Sequence, residues 1–399
     1  MKNINFDLRL QRVTRLDLSR IWEEKDIDVW EADEVTDSGP GFFYPVFRYQ
    51  NCYSYHPLWL IFHKKSLKIN KLFIDSPRNT PYYSGTDTLD ADIHRVGQAP
   101  EYCPEYFQRD KFVRIFSDAM IQDTYDMEAR YPDHVHAVLC GGRDSLNILL
   151  LPWKKSVTAY SAQPNYPLVR EFVERNRLPV TVRLLSDADD SVMDQECLMN
   201  MGHNDLRHYR WTGELGRISA EYDHKIIFWK GQMADVVLTP RWKKYAHFVG
   251  SDFNRLIFKF RNRLSLWPKN YVMNRYMKAM WVRGAMWQGF HMSFLRAICK
   301  TLFLSAYHGK RCISLIPRIH FPSVVKEDIR PLIGKYLAGK DVWYPPQNPH
   351  PAVSGFRSGL SMDMDKVIAM IREKNVIIEE EDTSMSGGES RRQKGGFSC

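Results

Sequence analysis

Residues 134–145 read His-Val-His-Ala-Val-Leu-Cys-Gly-Gly-Arg-Asp-Ser, and this stretch limits the fold more than any other. A short apolar run of strand character, Val135 to Cys140, empties into Gly141-Gly142. Asp144, Ser145 and the apolar stretch Leu146 to Leu151 follow. A strand that passes through glycines into a helix start is the geometry that cradles phosphate. The bare backbone allows close approach, and the first helical N–H groups face the anion. Cys140, Gly141, Gly142, Arg143, Asp144 and Ser145 are therefore candidate phosphate-binding residues, with Asp144 placed to hold a magnesium ion. No Lys-Ser/Thr pair follows a second glycine, and no G-x-G-x-x-G occurs here, so the Walker and dinucleotide loops are excluded.

The surrounding pattern alternates. A helix is predicted over Phe107–Ala129, ending before Pro132. Strand 135–140, helix 144–151, a strand near Ser156–Tyr160, a helix over Pro167–Asn176 and a strand over Val180–Leu185 then give β-α-β-α-β. This order predicts an α/β fold with a doubly wound parallel sheet, whose ligands sit at the carboxyl ends of its strands. Residues 203–222 read as helical, Lys225–Trp229 as a strand, 250–308 as mostly helical and Met362–Arg372 as a helix. Residues 1–105 read as a smaller β-rich domain, with strand-like runs at Phe42–Phe47, Tyr53–Phe62 and Leu67–Ile74. The expected organisation is 1–105, 106–345, a helical extension over 346–378 and a Ser/Gly-rich, charged tail over 379–399 that composition predicts to be disordered.

A second motif follows in Lys225-Ile-Ile-Phe-Trp-Lys-Gly-Gln-Met-Ala-Asp-Val236. A buried strand ends at Gly231, and Asp235 comes four residues later. Strand-turn-helix geometry brings Asp235 to the same sheet edge as Asp144. Two carboxylates converging on one triphosphate is how Mg²⁺ is usually held.

The first motif resembles the S-G-G-x-D-S pyrophosphate loop of the ATP pyrophosphatase family, with Cys140 in place of the first Ser. The second resembles the S-G-E-G-A-D-E stretch of asparagine synthetase and its relatives at Gly231, Ala234 and Asp235, while Lys230, Gln232, Met233 and Val236 depart from it. The resemblance covers residues 107–330 and implies an adenine nucleotide alpha-hydrolase-like fold. ATP and Mg²⁺ would be its cofactors, with Asp144 and Asp235 on the metal and Tyr160-Ser161 near the nucleoside. It also implies AMP-forming activation of a carboxylate, followed by attack of an amine, as in the β-lactam synthetases and lasso-peptide cyclases. A late lysine of the family maps best onto Lys310, Lys230 is a second cation within reach, and Glu214 is a candidate general base. Glutamine-dependent members begin Met-Cys. Here Lys2 follows Met1, so the amino-terminal domain is expected to be a reduced or replaced glutaminase that serves substrate or partner-protein binding.

Composition bounds the rest. The net charge of +9 permits an anionic partner. Arg261, Arg263, Lys269 and Arg275 keep open an RNA-modifying relative, and the Cys140 and Val236 departures keep open a degenerate nucleotide-binding scaffold. The aromatic, Met-rich 250–310 region, with Met273, Met277, Met280, Trp281 and Met286, suits a bulky or peptidic substrate. Seven cysteines with no Cys-x-x-Cys argue against disulfides and structural zinc, so a reduced, cytoplasmic setting is expected. No apolar run reaches membrane-spanning length.

Overall fold

Two five-stranded sheets carry the chain, in a computed structural model that describes residues 8–24, 26–37, 41–71, 74, 88–96, 107–186, 198–199, 211–232, 234, 238–240, 289–319, 324–346 and 364–379. The first sheet holds β1 (Leu10–Asp17), β2 (Val29–Thr36), β3 (Val46–Tyr49), β4 (Cys52–Ser54) and β6 (His94–Val96), in the order β1-β2-β4-β3-β6. β1 and β2 are parallel and the other pairs antiparallel. α1 (Pro57–Lys64) and β5 (Ser66–Lys68) lie between β4 and β6 in the chain.

The amino-terminal region is β-rich as expected, but its elements fall elsewhere. The run Tyr53–Phe62 is a three-residue strand followed by α1, not one strand. His56 caps the helix by accepting a hydrogen bond from Leu58 N at 3.1 Å, and Pro57 takes the first turn, where its missing N–H costs nothing. Among the described residues of the Leu67–Ile74 run, only Leu67 and Lys68 fall in a strand, β5, and Phe42 makes only an isolated bridge to Gly309. β1 and β2, rich in charge, were not legible as strands.

The second sheet follows α2 (Arg109–Arg130), whose Phe112, Phe116, Met120 and Met127 form its buried stripe at helical spacing. Its strands alternate with helices: β7 (Val135–Leu139), α3 (Arg143–Leu149), β8 (Val157–Ala162), α4 (Tyr166–Asn176), β9 (Val180–Leu185), α5 (Thr212–Glu221) and β10 (Ile226–Lys230). A helical run over 289–299 and β11 (Leu302–Ser305) complete it. The sheet is wholly parallel in the order β11-β10-β7-β8-β9. β11 adds a strand to the 250–308 stretch read as mostly helical, of which 289–308 is described; four apolar residues are too few to distinguish strand from helix by period.

The chain therefore steps outward from β7 to β9, then crosses back to lay β10 and β11 on the other side of β7. The direction reverses between β7 and β10, and in open α/β sheets the ligand crevice lies at such a point, beyond the carboxyl ends of the strands. All five residues of β10 are buried, as a strand covered on both faces must be. Phe228 stacks on Phe303 with centroids 4.9 Å apart; each such buried ring contributes about 2–3 kcal/mol.

α6 (Lys310–Leu315), α7 (Arg330–Ala338) and α8 (Met364–Arg372) follow, and β12 (Ile377–Glu379) pairs in parallel with β5. The expected carboxyl-terminal extension thus returns to the amino-terminal half. Cys52, Cys140, Cys299 and Cys312 are free and buried. Among the described residues no helix is long and apolar enough to cross a membrane.

Two fully buried histidines are locked in the neutral form. His56 donates from Nε2 to Met199 O at 2.6 Å while Nδ1 accepts from Leu58, and His136 Nδ1 accepts from Trp229 Nε1 at 2.9 Å. Burial pushes His56 down to about 3; burial, with Lys155 and His134 nearby, pushes His136 down to about 4. Unfolded histidine binds its proton near 6.5, so the unfolded chain holds more protons between about pH 4 and 6.5, and stability falls as pH drops through that window. Urea unfolding should lose about 4 kcal/mol from these two groups between pH 7 and 5. His136→Gln should make the fall shallower by about half; an unchanged slope would contradict the assignment.

Candidate functional site

The glycine loop leaves β7 at the reversal point. Cys140 N donates to Tyr160 O at 2.8 Å, and Ser161 Oγ donates to Cys140 O at 2.7 Å, so the end of β8 braces the start of the loop. Burial pushes the Cys140 thiol up, which makes it a packing group rather than a nucleophile. The Ser145 hydroxyl sits inside the loop. It accepts from Gly141 N at 3.1 Å and Gly142 N at 3.3 Å and donates to Gly142 O at 2.8 Å. A Cβ at Gly141 or Gly142 would meet nothing within 4 Å. Packing therefore does not demand glycine at either position. The bare backbone faces open space, which suits a loop that an anion must approach closely.

Gly231 is glycine for the opposite reason. A Cβ there would overlap the backbone of Asp144 and Ser145, with Ser145 Cα only 2.7 Å away. The end of β10 is thereby seated on the loop, and the two sequence motifs meet through their backbones. Asp235 lies outside the described residues.

Asp144 pairs with Arg330, which is itself clamped by Asp328: Arg330 Nε donates to Oδ1 at 2.8 Å and Nη2 to Oδ2 at 2.7 Å. Arg143 Nη1 joins the same carboxylate at 2.9 Å. Burial alone would raise Asp328, but the Arg330 fork holds its carboxyl below the ordinary value, and Arg330 itself is raised. The brace continues outward. Asn147 Nδ2 donates to Arg330 O at 2.8 Å, Tyr344 Oη donates to Asn147 Oδ1 at 2.5 Å, and Tyr307 Oη donates to Asp144 O at 3.0 Å. Arg330, Asp328, Asn147, Tyr307 and Tyr344 were not singled out by the sequence. Asp328-Ile-Arg-Pro331 looks like an ordinary helix start, and its partners lie about 185 residues upstream.

A cavity of about 60 Å³ opens beside Gly141 and Gly142, walled by Leu146, Val169 and Tyr344. Apolar and aromatic walls beside an anion loop suit a ligand with a polar end and a flat apolar end. Its size is well under the roughly 300 Å³ of a small-molecule site.

The three catalytic candidates separate. Lys230 directly precedes Gly231 and is buried, its Nζ 3.2 Å from both ring nitrogens of His291. Burial pushes its ammonium down to about 7. Glu214 lies at the start of α5, where its carboxylate accepts from Ser186 N at 2.9 Å, beyond the end of the edge strand β9. Lys310 is the first residue of α6, not on a loop; its Nζ pairs with Asp37 at 2.5 Å and its N–H donates to Gly41 O at 2.9 Å. The structure thus brings Cys140 to Ser145, Tyr160, Ser161, Gly231 and Lys230 to one sheet edge and ties Lys310 to the amino-terminal sheet. Arg261, Arg263, Lys269, Arg275, Met273, Met277, Met280, Trp281 and Met286 lie outside the described residues.

Asp144 places one carboxylate beside the glycine loop, a donor that would fit magnesium held jointly with phosphate oxygens. Among the described residues no three His, Cys, Asp or Glu side chains group as an all-protein metal cage. No family model matches this chain, and no curated protein matches it.

Two outcomes follow from this geometry. Gly231→Ala should cost about 1–3 kcal/mol by overpacking the loop and should abolish binding of inorganic pyrophosphate. Unfolding and calorimetric titration read the two effects, and wild-type behaviour in both would contradict the contact. Arg330→Met should cost about 3 kcal/mol, because two partly buried carboxylates lose their cation. Adding Asp144→Asn should recover part of that loss, and strict additivity in the double-mutant cycle would show that the pair carries no coupling.

Proposed function

We propose that the chain is an ATP-dependent, AMP- and pyrophosphate-forming amide-bond synthetase of the asparagine synthetase-like ATP pyrophosphatase kind. The observation that carries this reading is the seating of Gly231 on the Asp144–Ser145 backbone at the reversal point of a parallel sheet. The strand order, three strands outward and two back, also suits the adenine nucleotide alpha-hydrolase arrangement that the resemblance implies.

In this reading a carboxylate oxygen of the substrate attacks the α-phosphorus of ATP. The new O–P bond gives an acyl-adenylate, the bond from the α-phosphorus to the bridging oxygen breaks, and pyrophosphate leaves toward the loop. An amine then attacks the acyl carbon, the C–N bond forms, AMP departs and the amine loses a proton. Mg²⁺, when bound, neutralises the polyphosphate, and Asp144 and Asp235 are the residues to hold it.

The chain's own groups do the remaining work. Gly141 and Gly142 present their N–H groups to the Ser145 hydroxyl, the acceptor that phosphate oxygens would replace. Arg330, fixed by its fork to Asp328, is a positive charge already oriented at the loop, and preorganised charge is worth most where reorganisation is least. Lys310 must leave Asp37 before it can stabilise the adenylate. Lys230 releases its proton near neutral pH and is the described candidate best poised to exchange one, whereas Glu214 stands two strands from β7. An intramolecular amine gives a lactam or macrolactam and an external amine an open amide; a bulky or peptidic carboxylate is the proposed substrate.

The test incubates purified protein with Mg²⁺ and ATP across a panel of carboxylates, amines, peptides and tRNA, and separates AMP plus pyrophosphate from ADP plus phosphate. The expected result is AMP and pyrophosphate, reduced at least about a hundredfold in Asp144→Ala. ADP and phosphate, or stimulation by tRNA alone, would overturn the reading. ATP binding without turnover across the panel would favour a scaffold.

A further inference from the structure

A second cavity lies where the amino-terminal sheet meets the helical run 289–299. Arg9, Asp28, Tyr55, Trp59, Arg296 and Lys300 line it. Its volume of about 10 Å³ is the space of a single water molecule.

The acidic groups at this seam are already used. Arg9 donates to Asp28 from Nε at 3.1 Å and from Nη2 at 3.2 Å, and to Asp26 at 2.8 Å. Tyr55 Oη donates to Asp28 Oδ1 at 3.0 Å. Asp26 stands 86% exposed, so water screens most of its charge.

Beyond that cluster, Arg296 and Lys300 make no ion pair among the described residues. Arg296 is 4% exposed, with its guanidinium carbon 4.5 Å from the Tyr55 ring centroid. Its Nη1 reaches Trp22 O at 3.4 Å, while Nε and Nη2 are buried with no hydrogen-bond partner among the described residues. The indole Nε1 of Trp22, whose ring packs 5.3 Å from Tyr55, is in the same condition. Lys300 ends the helical run with φ of +55°. Burial and then the repulsion of Arg9 hold its ammonium below the usual lysine value, against the weaker pull of Asp28 and Asp26. Every unmet group in this cluster is a donor, and a buried guanidinium with unmet donors is costly. A water molecule supplies an acceptor but no charge.

We infer that this seam binds one halide-sized monoanion, with the Nε and Nη2 groups of Arg296 and the Lys300 ammonium as its donors. One charge is what the buried, unmet Arg296 guanidinium calls for, and the space admits no polyatomic anion. The ion would fasten the amino-terminal sheet to the run that carries His291 against Lys230 and leads into β11.

Thermal unfolding of the full chain in sodium chloride against sodium gluconate, at fixed ionic strength, reads this directly. The melting temperature should rise by about 2 °C for each tenfold in chloride above half-saturation. Bromide should substitute, and gluconate and sulfate should not. Arg296→Met should abolish the chloride response and Lys300→Met should weaken it. Lys300 is exposed, so its variant keeps the comparison available if the buried substitution does not fold. Wild-type crystals grown in bromide should show an anomalous peak within hydrogen-bonding reach of Arg296. Equal responses in wild type and Lys300→Met, or no bromine peak at the seam, would overturn the proposal in favour of a buried water. None of these readouts involves ATP, so the site stands or falls apart from the proposed activity.

Discussion

The contact between Gly231 and the backbone of Asp144 and Ser145 is the constraint on which the site depends. It forces the ends of β7 and β10, the strands on either side of the sheet's reversal, to lie within van der Waals reach of each other. The parallel register of Ile226–Lys230 against Val135–Leu139 sets this up, because it brings both strands to their carboxyl ends together. Any side chain at 231 must push the loop away from β10, whereas side chains at 141 and 142 would point into open space. Two kinds of glycine therefore sit a few ångströms apart, one required by packing and two that leave backbone bare.

The charges around the loop form a fixed frame. Asp328 holds Arg330 by a two-point fork, Arg330 holds Asp144, and Asn147 ties the start of α7 back to α3. Such a frame has few ways to relax, which is what an electrostatic site needs if its charges are to be in place before the ligand arrives. It also gives Asp144 a cationic partner. In the proposed reaction, Mg²⁺ held with a polyphosphate would have to share Asp144 with Arg330 or displace it, and the phosphate oxygens would offer Arg330 a new acceptor.

Much of the sheet could be read from the chain because its signals are local. Val135–Cys140, Val180–Leu185 and Lys225–Trp229 are short apolar runs bounded by turn residues, and the strands lie within a residue or two of those limits. The amino-terminal sheet could not be read in that way. β1 spends five of its eight residues exposed and carries Arg12 and Arg15, so its strand character comes from pairing with β2 rather than from hydrophobic period. The loop glycines were legible because glycine pairs after a strand have few other uses. Arg330 and Asp328 were not, because an arginine acquires its role from partners that the fold, and not the neighbouring sequence, supplies. Sequence context points to Lys310, and the fold gives it to Asp37 instead.

The most direct measurement is the amide resonances of Gly141 and Gly142 during titration with inorganic pyrophosphate and Mg²⁺. The account predicts that both shift together and saturably, because the phosphate oxygens replace the Ser145 hydroxyl as their acceptor, and that Gly231 shifts with them through the shared contact. Saturable binding that leaves these three resonances unmoved would place the anion elsewhere and contradict the site.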